Sequence, residues 1–284
     1  MFHAVDTKDA SAVEREVEES YRELYADSDP QFVPRAFRWL VDCFAGRYRD
    51  FQAIDVQYHD LEHTLQGTLC MGRLLTRYQR AGAVPALDRR RFELGLLAIL
   101  LHDSGYLKKR GDHLGTGAKY TFTHVARSVE FGALLLAEKG FSVRDIRAVQ
   151  NMIRCTGLNV ELAAIPFDDE LDRVVGYALG TSDLVGQMAA PDYVDKLPML
   201  FAEFDEARAH ERSETPDAVN FSDAEDLMRQ TPAFWRNYVL DRITREFRGL
   251  FHYLDDPYPG GRNEYVERVE ANLTRLVQVI SAAG

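Results

Sequence analysis

An imidazole and a carboxylate, His102 and Asp103, end the run Leu94–Leu101 (LGLLAILL), which is apolar or glycine throughout. A segment apolar on every side is buried, so the pair stands at the edge of a core. A carboxylate there needs a cation, hydrogen bonds or a metal ion. His59 and His63 lie four residues apart, and His59, His63, His102, His113 and His124 are five of the chain's eight histidines. Asp183 falls on a stripe that also carries Gly176, Gly180 and Gln187. Imidazoles and carboxylates drawn from separate elements form a ligand set for one or two divalent ions (Mn, Fe, Co, Ni, Zn or Mg), with positions left open to water.

Helices must position these groups. Apolar residues recur at helical spacing over residues 9–26 (Val13, Val17, Tyr21, Tyr25), about 31–48, and from Leu61 through Leu65 and Leu69. A helix already running at His59 would put His59 and His63 on one face. Arg89–Asp103 reads as the buried helix, and Thr123–Lys139 as another with His124 in its first turn. Ser142 and Asp145 form a capping-box start for a helix that ends at Arg154-Cys155. Asp168–Met188 is a long helix in which paired glycines imply close approach by a neighbour, since each costs about 1 kcal/mol relative to alanine. Further helices follow over Tyr193–Glu206, from a Thr231-Pro232 start to about Leu254, and after an Asn263 cap, with a polar connection between His210 and Asp223. No strand-like alternation occurs, so the expected fold is all-α: N-terminal helices over 1–50, a metal-binding core over 51–205, and C-terminal helices over 206–284 in the same domain.

Ser104–Phe122 carries no helical stripe and four glycines. Lys108, Lys109, Arg110 and Lys119 there face only Asp112, a local charge of +3. Long loops without structure of their own are usually functional, and this one reads as a mobile cationic flap over the His102/Asp103 site. Lys108, Lys109 and Lys119, with Arg154, are the expected contacts for an anionic substrate.

Composition narrows the partners. A net charge of −11 excludes tracking along a nucleic acid polymer, which needs clustered Lys and Arg. No apolar run approaches the roughly 18 residues of a membrane span, and the first residues lack the features of a signal peptide. A cytoplasmic protein with no membrane partner is expected, and a homodimer is left open. Three dispersed cysteines, Cys43, Cys70 and Cys155, spell neither a disulfide framework nor a zinc knuckle.

The order His63, His102-Asp103, Asp183 resembles the H…HD…D signature of the HD-domain metal-dependent phosphohydrolase superfamily, and Tyr58–Thr64 (YHDLEHT) is similar to the YHNxxHA signature of class I cyclic-nucleotide phosphodiesterases. The resemblance covers roughly residues 55 to 200. It implies an HD-domain helical bundle in which His63, His102, Asp103 and Asp183 bind a first metal ion. It further implies that Asp103 bridges to a second ion with His124 as a ligand, that His59 protonates the leaving oxygen, and that a metal-activated water attacks phosphorus. Three positions depart from the pattern. Asp60 replaces the phosphodiesterase asparagine, Tyr106 replaces the lysine of HDxGK in the HD-GYP subgroup, and Arg154-Cys155 stands where a later histidine is wanted. The function expected is hydrolysis of a phosphoester of a nucleotide or similar small molecule. A di-iron HD-fold oxygenase and a non-catalytic metal-containing regulatory module are the alternatives.

Overall fold

Asp60, Asp88, Ser142 and Asp169 each accept a hydrogen bond from a backbone N–H two or three residues on, at 2.9, 2.8, 3.2 and 2.8 Å. At each of them a helix begins, because such a side chain satisfies a donor that the first turn leaves free. The computed structural model describes residues 2–210 and 221–283. Most of the polar connection between His210 and Asp223 therefore lies outside the described residues. In order come α1 (Ala10–Leu24), α2 (Phe32–Phe44), α3 (Leu61–Arg80), α4 (Arg89–Leu101), α5 (His124–Glu138), α6 (Val143–Arg154), α7 (Glu170–Met188), α8 (Tyr193–His210), α9 (Ala224–Phe234) and α10 (Glu264–Ala283). The fold is all-α apart from one antiparallel pair of two-residue strands, β1 (Asp255–Asp256) and β2 (Arg262–Asn263).

The crossing of α3 and α7 is the axis of the molecule. A Cβ on Gly186 would lie 2.9 Å from the Gln66 carbonyl oxygen and 3.1 Å from the Gly67 Cα, so the two backbones touch there. That contact sets His63, one turn before Gly67, against Asp183, one turn before Gly186. The helix α4 packs on both, and every residue from Phe92 to Leu101 is buried, as its all-round apolar sequence requires. The expected close approach to the glycines of α7 is present too: Cys155 and Phe167 press on Gly176, and Phe247 on Gly180. Gly186→Ala should force α3 and α7 apart. We expect a loss of about 1–3 kcal/mol of stability together with weaker metal binding, read by thermal denaturation and metal titration; an unchanged melting temperature would show that the crossing has slack.

The N- and C-terminal helices are tied to the same core. Arg73 of α3 donates to the His3 carbonyl at 2.7 Å and to the Tyr265 hydroxyl at 3.2 Å, and Tyr21 donates to Glu93 at 2.5 Å. Among the described residues most buried apolar side chains form one cluster from Val13 to Leu276, and Val56, Tyr106 and Ala118 form a small second one. Among the described residues no helix is long and apolar enough to cross a membrane.

Between residues 224 and 254 the structure corrects the sequence reading. Thr231 is no cap; its hydroxyl donates to the Leu227 carbonyl at 2.9 Å from inside α9, which starts at Ala224 under an Asp223 cap. Pro232 therefore lies within the helix. The chain goes on as two π turns, Trp235–Val239 and Arg242–Glu246, and a 3-10 turn, Leu250–Leu254, rather than one α-helix. Asn263 does cap the last helix, accepting from Val266 N at 3.1 Å.

Candidate metal centre

Four ligand atoms, one from α3, one from α7 and two from the end of α4, converge. His63 Nε2 lies 3.2 Å from Asp103 Oδ2 and 3.3 Å from Asp183 Oδ1, and His102 Nε2 lies at the same two distances from the same two oxygens. Yet the buried His102 Nε2 and Asp103 Oδ2 make no hydrogen bond of normal geometry. Ligand atoms held about 2.0–2.2 Å from one ion stand about 3.0 Å apart at right angles and about 3.4 Å apart at the tetrahedral angle. The observed spacing falls between, so these buried, unpaired nitrogen and oxygen atoms fit a divalent ion. His63, His102 and Asp183 form one group that can hold a metal ion, and His59, His63 and Asp103 an overlapping one.

His102 and Asp183 are each oriented by a further contact, as metal ligands usually are. His102 Nδ1 pairs with the Ile99 carbonyl at 2.7 Å, which leaves Nε2 free to face the cluster. Gln187 donates to Asp183 Oδ1 at 3.4 Å and accepts from the Tyr58 hydroxyl at 2.6 Å. Burial opposes charge on both rings, but the Asp103 and Asp183 carboxylates outweigh it, raising His63 to about 9 and His102 well above its ordinary value. Burial likewise opposes charge on the two carboxyls, and the imidazoles outweigh it and hold them well below the usual range.

A second group sits beside the first. His59 is not in α3, because Asp60 is extended and caps that helix; the expectation of one helical face for His59 and His63 is corrected. His59 instead arrives from the preceding segment, with its ring centroid 5.2 Å from that of His63. Its Nδ1 lies 2.6 Å from Glu203 Oε2, while Glu203 Oε1 accepts the Gln57 and Tyr58 backbone N–H groups at 2.9 and 2.6 Å. Burial works against the Glu203 carboxylate, and His59 with these donors outweighs it and lowers its pKa. His124 opens α5, pairs through Nδ1 with the Thr121 carbonyl at 2.5 Å, and turns Nε2 toward Asp103 Oδ1 at 3.8 Å. Burial lowers its pKa. Gly105 lets this end of α5 close on the site: its N–H reaches the Ser128 hydroxyl at 2.8 Å, and a Cβ there would collide with the His124 carbonyl.

Neither Glu203 nor Tyr106 is among the site residues expected from the sequence. Glu203 carried a signal of the same kind as Asp183, a carboxylate set among apolar residues (FAEF). Tyr106 is fully buried and stacks on His59 and His124, at centroid distances of 4.7 and 4.8 Å. His113 is exposed and joins neither ligand group.

The loop after Asp103 is not a cationic flap. It is folded into two 3-10 turns, Ser104–Tyr106 and Gly117–Tyr120, and its cations are spent on the protein itself. Lys108 is buried, paired with Asp55 at 2.8 Å and donating to the Gly115 carbonyl. Lys119 is buried against Asp112 at 2.5 Å and the Leu114 carbonyl. Lys109 pairs with Asp50 at 3.0 Å, and Arg154 donates to Asn151 at 2.7 Å. Glu206 of α8 ties the loop down through the Thr116 N–H and hydroxyl. Lys108 and Lys119 are therefore committed to the loop's own fold, because a phosphate would have to break buried pairs already made, whereas Lys109 meets Asp50 in an exposed pair and Arg154 makes one hydrogen bond to a neutral amide.

A comparison with curated proteins finds no match. The sequence does match the Npun_R2479-like family over residues 10–262, a span that runs from α1 through β1 into β2 and takes in every residue of the candidate centre. The protein belongs to the Npun_R2479-like family.

Proposed function

We propose that the protein is a metal-dependent phosphohydrolase that cleaves a phosphoester of a nucleotide or similar small molecule. The observation that carries this reading is the convergence of His63, His102, Asp103 and Asp183 on one point with the His59–Glu203 pair alongside. The chain order of these ligands, similar to the HD-domain signature, and the all-helical bundle around them support it. A divalent ion held by the four, such as Mn, Fe, Co, Ni, Zn or Mg, would polarise a phosphoryl oxygen and acidify a water. The remaining work falls to the protein. Glu203 holds His59 by Nδ1, so that Nε2 can deliver a proton to the leaving oxygen. Asp103 offers Oδ2 to His63 and His102 and turns Oδ1 toward His124, an arrangement suited to serving a second ion.

Purified, Mn-loaded protein assayed against simple aryl phosphodiesters, cyclic nucleotides and nucleoside phosphates tests the reading. Metal-dependent release of phosphate or of the alcohol is expected; metal bound without turnover of any of them counts against hydrolysis. Two irons per chain with an oxygen-sensitive spectrum would favour the oxygenase instead.

The pairing of the loop cations makes a further result expected. Lys108→Met should lower stability by about 1–3 kcal/mol, because Asp55 and the Gly115 carbonyl lose a partner, and should leave KM within about twofold of the wild type. A large rise in KM at unchanged melting temperature would restore the substrate contact.

A further inference from the structure

Tyr106 is the only side chain among the described residues whose ring is seen stacked on both His59 and His124. The planes are nearly parallel, at 15° and 20°, with centroids 4.7 and 4.8 Å away. The two imidazole centroids stand 6.0 Å apart. On opposite faces of the phenol they would be about 9 Å apart at such stacking distances, so they lie side by side on one face. Each imidazole is otherwise tethered through Nδ1, His59 to Glu203 and His124 to the Thr121 carbonyl. One hydrogen bond fixes one atom and leaves the ring free to tilt about it. A flat surface beneath the ring removes that tilt. The Tyr106 hydroxyl is buried and makes no hydrogen bond of normal geometry, which leaves the ring as the part that acts.

We propose that Tyr106 is a positioning residue, a common platform that fixes the planes of His59 and His124 and so aims both Nε2 atoms at the space beside Asp103. Its catalytic consequence rests on the reading of His59 as the proton donor. The geometric consequence does not, and the test separates the two.

The test compares Tyr106→Phe with Tyr106→Leu. Imidazole ring resonances are recorded by nitrogen NMR in metal-free and zinc-loaded protein, alongside kcat and KM on whichever phosphoester the wild type turns over. The phenylalanine variant should keep sharp His59 and His124 signals and a kcat within about threefold of the wild type. The leucine variant should broaden those two signals while His63 and His102, which do not stack on Tyr106, stay sharp. It should also lose about 10-fold or more in kcat with little change in KM, the scale of a small misplacement of a reacting group. Tyr106→Met, whose flexible chain fills similar space, replaces the leucine variant if that one does not fold. Sharp His59 and His124 signals without the ring would overturn the proposal. So would a phenylalanine variant as impaired as the leucine one, since the hydroxyl would then be the acting group. If the wild type turns over no phosphoester, the functional reading falls, and the ring signals alone decide the platform.

Discussion

Asp183→Asn will bind its divalent ion more than about 100-fold more weakly than the wild type, a larger loss than the 10–100-fold typical of removing a group that only orients a ligand. Asp183 Oδ1 touches both His63 Nε2 and His102 Nε2, so no other residue can take its place in the cluster. The substitution keeps the shape of the side chain and removes one charge. The ion-free site can absorb that by releasing a proton from one imidazole, because the carboxylates are what raise His63 and His102. Mn or Zn at about 100 times its dissociation constant stabilises a protein by about 2.7 kcal/mol. At about 2–4 °C per kcal/mol for chains of roughly this size, the wild type should gain roughly 5 °C or more in melting temperature. The variant should gain almost nothing at the same concentration, and its turnover should vanish with the metal. An equal thermal shift in both proteins would place the ion elsewhere.

The candidate metal ligands were legible in the sequence because each is a polar group forced against an apolar neighbourhood. His102 and Asp103 end a run that has no solvent-facing side, and Asp183 shares a stripe with glycines that only close packing explains. Helix starts were legible for a similar local reason, since Ser142 and Asn263 cap through atoms one turn away. The pairing of His59 with Glu203 spans 144 residues, and no periodicity within α8 says which of its faces meets residues 57–59. The cations of the loop misled because a charge count carries no direction. Lys108 turns inward to Asp55, and Lys119 to Asp112, and both are buried where a solvated flap would leave them exposed. The stretch from Thr231 misled because a Thr-Pro pair suits a cap and first turn as well as it suits the interior position it takes in α9, and because two π turns interrupt the helix that follows.

His59→Ala should lower kcat by roughly 10²-fold or more with the metal content unchanged, since general acid catalysis typically supplies 10²–10⁴-fold. The metal is spared because the four-atom cluster of His63, His102, Asp103 and Asp183 closes without His59. The size of the loss should depend on the substrate. A nitrophenolate leaves without help from a proton, whereas the alkoxide of a sugar does not, so the deficit should shrink on the aryl ester and persist on the nucleotide. Glu203→Gln tests the same proton from the other side. The amide can still accept the Gln57 and Tyr58 N–H groups through its oxygen, but it then turns an NH2 toward His59 Nδ1. That contact favours the ring form with its proton on Nε2 and withdraws the carboxylate that stabilises the charged ring. A loss of about 10-fold or more in kcat is expected, with the same dependence on leaving group. An equal deficit on aryl and alkyl esters in both variants would mean that His59 does not carry the proton, and no deficit in either would mark the His59–Glu203 pair as a structural clasp on the segment before α3.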